Sequence, residues 1–443
     1  MAEPYATDSP ELDTVEISVT SPPPGQPLGQ PSTTVFSHFL AYSYRQSFLQ
    51  PADAWTFAID ADELSEAQRN ALLPGGIVDI RISGNRQTIG YIDEVRSSGS
   101  RSTGNIITVS GRDWMSPAVD CHVDPNTRFK ESMTLEDLMN QVFAFIAQGK
   151  VKFATDSVAN LNVITGGAYG PKTSKRGAPL KRYVLHQIKP YPQEGAWAFA
   201  SRVSQRFGLW PWAAQDGETI VVDKPDFTSA PLYQIRNSRD PSWATHNNVL
   251  EWDACASRKN QPTAIFASGY GGGGYNEKSN LKAGILNPVT SILLSLQSQI
   301  AALPGPSDPS SADVQGIQAA YPTVDFTQLA TPPTGDGLAI LPLFDPVPRP
   351  LYVEDRDAHD QAELSAFVLR ELSLRMRESL HYAVKIPGHR LGGVPIAVNT
   401  QIDVQDDLAG IHQTLWIMER EMRKDRGGTS THFSCIRPGT LVF

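Results

Sequence analysis

Gly76-Ile77-Val78-Asp79-Ile80-Arg81-Ile82, then Gly90-Tyr91-Ile92-Asp93-Glu94-Val95, then Asn105-Ile106-Ile107-Thr108-Val109-Ser110 ending in Gly111-Arg112-Asp113, is the stretch that decides the fold. Apolar and polar side chains alternate with a period of two, and glycines punctuate the runs. That pattern predicts successive strands of a twisted antiparallel sheet or a small barrel. The cadence returns near the C-terminus, in His381-Tyr382-Ala383-Val384-Lys385-Ile386 with Pro387-Gly388-His389, in Thr400-Gln401-Ile402-Asp403-Val404 and in Gly410-Ile411 through Ile417. Two β-rich ends around a different middle predict a component built for assembly.

Working outward, Leu12 to Thr20 alternates as an opening strand that Pro22-Pro23-Pro24-Gly25 stops. Val35 to Phe48 and Trp55 to Ile59 read as further strands, and Asp60 to Leu73 as a short helix or loop before Pro74-Gly75-Gly76 turns the chain back. Gly84-Asn85-Arg86 and Gly427-Gly428-Thr429 read as hairpin turns. Residues 12 to 121 therefore form a first β-barrel-like domain.

The texture changes at Met133. Thr134 is a helix cap with Asp137 three positions on, and Leu135, Leu138, Val142, Phe145 and Ile146 follow at helical spacing, which predicts their burial. Phe199, Val203 and Phe207 mark a second helix. Gly208 to Trp212 and Asp216 to Val222 read as strand, turn and strand, so residues 122 to 245 form a small mixed α/β middle domain. A second β-barrel-like domain is discontinuous, in residues 246 to 268 plus 351 to 443, with a helix over Asp357 to Leu380. The glycine run 271 to 274 and the prolines up to Pro350 make 269 to 350 a flexible or peripheral insertion, whose apolar Ile285 to Ile300 suits a docking helix. The fold class is β-rich α+β. A chain of 443 residues has room for about three such domains.

With 38 Lys plus Arg against 47 Asp plus Glu, the formal charge of -9 excludes a protein that wraps nucleic acid in a broad basic surface; DNA sliding past a neutral or acidic wall remains compatible. Cys121, Cys255 and Cys435 are odd in number and far apart, so neither a disulfide framework nor a thiolate zinc site is expected. The start Met1-Ala2-Glu3-Pro4-Tyr5 has no apolar signal core, and Leu281 to Leu303 is too interrupted by polar residues and Pro288 for a membrane span.

Chemistry-bearing constellations are few. Glu354, Asp355, Asp357, Asp360 and Glu363 could hold a divalent cation or divide acid and base work, yet carboxylates also gather at helix N-termini for the dipole alone. The nine histidines lack a metallohydrolase spacing, and the glycine run lacks a nucleotide-loop ending. Trp197, Trp210 and Trp212 fit either a carbohydrate platform or a local core. No catalytic residue, metal or cofactor is assigned. Arg112 and Asp113 are the residues expected to orient a turn or an inter-domain contact through charged hydrogen bonds.

The ordered set Gly90 to Val95, Val109 to Asp113 with Val119-Asp120-Cys121, and Ile386-Pro387-Gly388-His389 through Gly410-Ile411 resembles the baseplate hub proteins of contractile-tailed phages and related injection particles, which join tail tube to central spike. Ile188-Lys189-Pro190 and Glu194 to Phe199 before the Asp216-Gly217 turn are also similar. The resemblance implies two tube-type β domains per subunit and a homotrimer that presents pseudo-sixfold symmetry to a hexameric tube. It implies a tail tube protein, a central spike protein and other baseplate proteins as partners, DNA or other cargo passing the channel without sequence-specific binding, and a place in the virion tail after synthesis in the host cytoplasm. The long 269 to 350 region departs from compact members. Two other classes are weighed beside it: a peptidoglycan glycosidase using Glu194, Asp355 and Asp357, and a carbohydrate-binding module using the middle tryptophans.

Overall fold

The computed structural model describes residues 13–21, 32–101, 104–127, 135–146, 150–153, 190–205, 209–214, 219–240, 242, 246–257, 259–262, 264–269, 281–286, 349–355 and 361–438. The first third is β1 (Val15–Ser21), β2 (Ser32–Phe36), β3 (Ala41–Ser47), β4 (Ala54–Asp60), β5 (Ile77–Ile82), β6 (Asn85–Ser100) and β7 (Gly104–Asp113). Between β4 and β5 lie a 3-10 turn and the helix Glu66–Ala71, started by a capping box in which Ser65 and Gln68 satisfy each other's backbone. Ser83 and Gly84 both take positive φ, 48° and 79°, which is the backbone a tight two-residue hairpin between β5 and β6 requires.

The middle holds the helices Ser116–Asp120, Leu135–Val142 and Ala196–Gln205, with β8 (Lys150–Phe153), β9 (Trp210–Ala213) and β10 (Thr219–Asp223) as a three-stranded sheet in the order β8, β10, β9. Of the stripe expected in the first helix, Leu135, Leu138, Val142 and Ile146 are buried but Phe145 is 45% exposed. The helix stops at Val142, so the 3.6-residue spacing no longer governs Phe145; Met139 and Phe143 are buried instead. Thr134 and Phe207 lie outside the described residues.

The last part comprises β11 (Tyr233–Asn237), β12 (Glu251–Ala256), β13 (Ala264–Gly269), β14 (Leu281–Leu286), β15 (Pro350–Asp355), the helix Gln361–Met376, β16 (Leu380–Pro387), β17 (Arg390–Leu391), β18 (Val394–Pro395), β19 (Thr400–Asp406), β20 (Ile411–Asp425) and β21 (Gly428–Ile436). Among the described residues thirteen strands make one large sheet, in the order β12-β16-β21-β20-β3-β4-β7-β6-β5-β1-β2, with β19 beside β20 and β11 beside β19. The strands of residues 77 to 113 pair antiparallel as their alternation predicts, whereas β11 and β19, separated by a long crossover, pair parallel.

The sequence groups β13 and β15 with the second barrel-like domain. They pair instead with β14 in a separate three-stranded sheet, and Leu364, Val368, Leu372 and Met376 of the helix Gln361–Met376 cover Ile265 and Ala267. Within the 269 to 350 stretch, Leu281–Leu286 is thus a strand, and Ile285 is not the start of a helix; Asn287 to Ile300 lies outside the described residues.

The two halves of the large sheet repeat one plan. In the first, β4, β5, β6 and β7 lie in the order β5-β6-β7-β4 with β3 outside β4; in the second, β16, β19, β20 and β21 lie in the order β19-β20-β21-β16 with β12 outside β16. Even the irregularity is shared: β6 shifts register against β7 between Ile92 and Glu94, and β20 against β21 between Ile417 and Glu419. One apolar core runs through both halves, from Ile17, Phe57 and Val109 to Tyr382, Val404 and Met422. A second core carries the middle domain and includes Trp114 and Met115 of the first half and Trp416 and Ile436 of the second, so the middle domain packs across the join.

Among the described residues no helix is long and apolar enough to cross a membrane, and Cys121, Cys255 and Cys435 are free thiols.

Candidate assembly interface

The join is made by one strand that changes partners. Residues Ile411–Ile417 of β20 pair with β19, whereas Glu419 to Lys424 pair with Ser47 to Tyr42 of β3. The extra residue Met418 at the bulge reverses which side chains face the core. Leu415 and Ile417 face it before the bulge, and Met422 after it. Across the join, Arg45 forms an ion pair with Glu419, and Ser43 donates to Glu421 Oε1 at 2.9 Å. Burial pushes the Glu421 carboxyl up, but hydrogen bonds from Arg423 and Ser43 outweigh it and the net shift is downward.

Alternation leaves the other side chains of these strands on a concave face, a groove of about 430 Å³ over β12, β16, β21, β20 and β3. Its lining carries four acids (Glu251, Asp253, Glu419, Glu421) against two bases that reach it (Arg45, Lys385), an acidic excess, because Arg420 borders the groove but is fully buried. Lys385 Nζ meets Glu251 Oε1 at 2.8 Å. His432 is pushed down, first by burial and then by Arg423 and Lys385, and so is uncharged at neutral pH.

Beneath the join, ionisable groups are buried. Arg420 is fully buried, donates to Ile396 O and lies over the Tyr44 ring, 5.3 Å from its centroid. Tyr44 Oη lies 3.1 Å from Asp53 Oδ2 and 3.2 Å from Gln87 O and has one hydrogen to share between them. Burial lifts Asp53 to about 7 although Arg420 pulls it back. Asp113 is lifted well above the carboxylate range by burial and then by the charge of Asp53. Burial thus favours the protonated form of both acids, and for Asp113 the Asp53 charge adds to it.

The two residues singled out in the sequence thus occupy different settings. Arg112 grips Asp93 of β6 (Nε to Oδ2 2.8 Å) and Asp120 of the helix Ser116–Asp120 (Nη2 to Oδ2 2.8 Å). Its guanidinium is raised by the Asp120 and Asp93 hydrogen bonds, and Asp120 is lowered by the same contact. Asp113, 2% exposed, accepts from the Met115 amide at 2.9 Å and sets the turn into that helix.

A third polar set holds the start of the chain to the second half. His389 is fully buried, with Nε2 2.7 Å from Tyr42 Oη and Nδ1 2.9 Å from Thr431 Oγ1. The Thr431 hydroxyl donates to Gly388 O at 2.8 Å, so its oxygen accepts from Nδ1–H and Nε2 accepts from Tyr42. The chain of donors requires a neutral imidazole, and burial accordingly lowers His389 to about 4. Asp13 accepts from the His389 amide and pairs with Arg390 Nε at 2.7 Å.

Sequence reading did not find Arg420, Asp53 or His389. Only the parity change after Met418 points inward for Arg420, and the Pro387-Gly388-His389 turn carries no local sign that His389 is buried.

Among the described residues the catalytic and sugar-binding constellations are not brought together as sites. Both Glu194 oxygens are taken, by Arg202 at 2.8 Å each and by the Tyr191 amide at 2.9 Å. Asp355 ends β15, and Asp357 and Asp360 lie outside the described residues. Trp197 and Trp210 are buried edge to face, 6.3 Å apart, and Trp212 packs on Phe48 at 5.2 Å. Among the described residues no three His, Cys, Asp or Glu side chains are grouped to hold a metal.

Comparison with known proteins fits this geometry. Residues 33–113 match the family model of the N-terminal part of the Mu phage baseplate assembly protein GpP-like, which spans the first half from β2 to β7. The fold is that of a tail protein from Neisseria meningitidis MC58 (TM-score 0.64, 19% identity, 97% of this chain and 98% of that one). It is shared with the 43 kDa tail protein of prophage MuSo2 from Shewanella oneidensis (0.64, 15%, 97% and 99%). Prophage tail protein gp18 from Listeria monocytogenes EGD-e is more distant (0.51, 9%, 95% and 94%). No curated protein matches the chain.

Proposed function

We propose that this chain is a structural baseplate hub subunit that forms a trimeric ring, adapts a hexameric tail tube to a trimeric central spike, and encloses a channel for genome or other cargo. The observation that carries the reading is the repeated β plan joined into one sheet by β20. Two equivalent units per chain give a trimer six similar faces, the number a hexameric tube needs. The family match over residues 33–113 supports a baseplate setting, and the shared fold of the tail proteins supports the same architecture. In this reading each half closes as a tube-type, barrel-like domain, and a groove with more acids than bases lets DNA pass without sequence-specific contact. The chain is not an enzyme, works without a cofactor, and resides in the virion tail after synthesis in the host cytoplasm. Its partners are two further copies, the tube protein, the spike protein and neighbouring baseplate proteins.

Arg112 has the role of holding the helix Ser116–Asp120, and with it the middle domain, at a fixed angle to the β sheet, while Asp113 shapes the turn between them. Native mass measurement of the chain with its tube and spike partners tests the stoichiometry. Three copies per complex are expected; a stable single copy with both partners bound overturns the trimer.

A further inference from the structure

We infer that the distal half of β6, Glu94 to Gly99, pairs antiparallel with β12 of a second copy of this chain, as β20 pairs with β3 inside one chain. This deepens the trimer reading and rests on it. Both edges are open among the described residues: Glu94 to Gly99 pair with β7 on one side only, and Glu251 to Ala256 with β16 on one side only. Both are exposed, including Trp252 at 41%, and an exposed edge offers unpaired N–H and C=O groups to another strand.

The internal repeat sets the register. Glu94 faces Ser110, which faces Thr56, which faces Ser43; Glu419 faces Ser434, which faces Ala383, which faces Asp253. Ser43 and Asp253 are therefore equivalent, as are Glu94 and Glu419. In the chain, Glu421 pairs with Arg45 and Arg423 with Ser43. Carried to the open edges, the same register places Arg96 opposite Cys255 and Ser98 opposite Asp253. Ser43 reaches diagonally to Glu421, so Asp253 reaches Arg96, and a hydrogen bond at the internal join becomes an ion pair between copies. Trp252 then falls opposite Gly99, over which the Asn105 side chain leans from β7. A contact between two different edges is heterologous, and with a threefold rotation between copies it closes as a ring of three.

The test uses the full chain with Cys121→Ser, assembled with its tube and spike partners, carrying Arg96→Cys to face the native Cys255. Mild oxidation is expected to give a covalent trimer on a non-reducing gel. Adding Cys255→Ser abolishes the link, and Ser97→Cys, whose side chain points to the opposite face, gives none. Asp253→Lys, on an exposed strand, is expected to weaken assembly about tenfold, with recovery in Asp253→Lys/Arg96→Glu. Three copies by native mass without the link from the Arg96→Cys thiol to Cys255, or with equal linking from Ser97→Cys, overturn the edge pairing and leave the trimer standing. A single copy in the presence of both partners overturns the two together.

Discussion

Two buried groups in the join titrate with opposite sign, which makes their contributions separable. His389 is held below its ordinary value, at about 4, so the stability it contributes is complete above about pH 6.5 and is lost as the pH falls towards 4. Asp53 is held above its ordinary value, at about 7, so its contribution is complete below about pH 4 and is lost as the pH rises through 7. Each shift corresponds to roughly 3 to 4 kcal/mol across the window. Relative to wild type, His389→Gln should therefore make stability fall more steeply between pH 4 and 7, and Asp53→Asn should make it rise more steeply. Urea midpoints measured across that range decide it, and parallel curves for all three proteins count against both assignments. Arg420 belongs to the same set. Arg420→Met removes the cation that favours the Asp53 carboxylate and should shift the Asp53 titration further upward, so that stability falls more steeply with pH than in wild type. Arg420→Met/Asp53→Asn should remove that added slope in the same unfolding assay, because the carboxyl on which Arg420 acts is then gone.

Strands whose own alternation is unbroken were legible from the sequence: β5, β16 and β19 bury every second residue, and all are where that pattern places them. What escaped reading depends on partners distant in sequence. The bulges at Asp93 and Met418 break the alternation on which register reasoning relies, and Arg420 becomes an inward residue only after the second bulge. β13 and β15 read as strands, but no local signal assigns a strand to one sheet over another. Arg112 and Asp113 were visible as a charged pair after a glycine; their different burial was not, because Asp53 that surrounds Asp113 arrives from the loop after β3. Gly111 illustrates the same limit. A Cβ there would come within 2.0 Å of Tyr91 O and 2.4 Å of the Trp55 ring, across two neighbouring strands. Gly111→Ala should therefore cost about 1 to 3 kcal/mol or more in chemical denaturation, through strand displacement in a packed sheet. Gly84→Ala, with open space around it, should lose less and only through its positive φ.

At the scale of the molecule, the small sheet shows where the long stretch before β15 can be cut. β14 runs antiparallel to β13 and ends with Leu286 beside Ala264; β15 runs parallel to β13 and begins with Pro350 beside the same residue. The two chain ends therefore flank one position of β13, two interstrand spacings apart, or about 10 Å. A linker of about five Gly and Ser residues spans that distance with slack, and shortening a loop lowers its closure entropy. Replacing residues 287 to 349 with such a linker should leave the unfolding midpoint of the chain within about 1 kcal/mol of wild type. The cut must spare Leu281–Leu286, since deleting from 269 onward removes β14 and opens the edge of β13 that it covers. The wider deletion should lower stability and expose the face that Leu364, Val368 and Leu372 cover, read as dye binding or faster amide exchange in β13. A linker variant that no longer folds would mean that the residues between β14 and β15 contribute to a core, and equal stability of the two deletions would mean that β14 does not hold β13 in place.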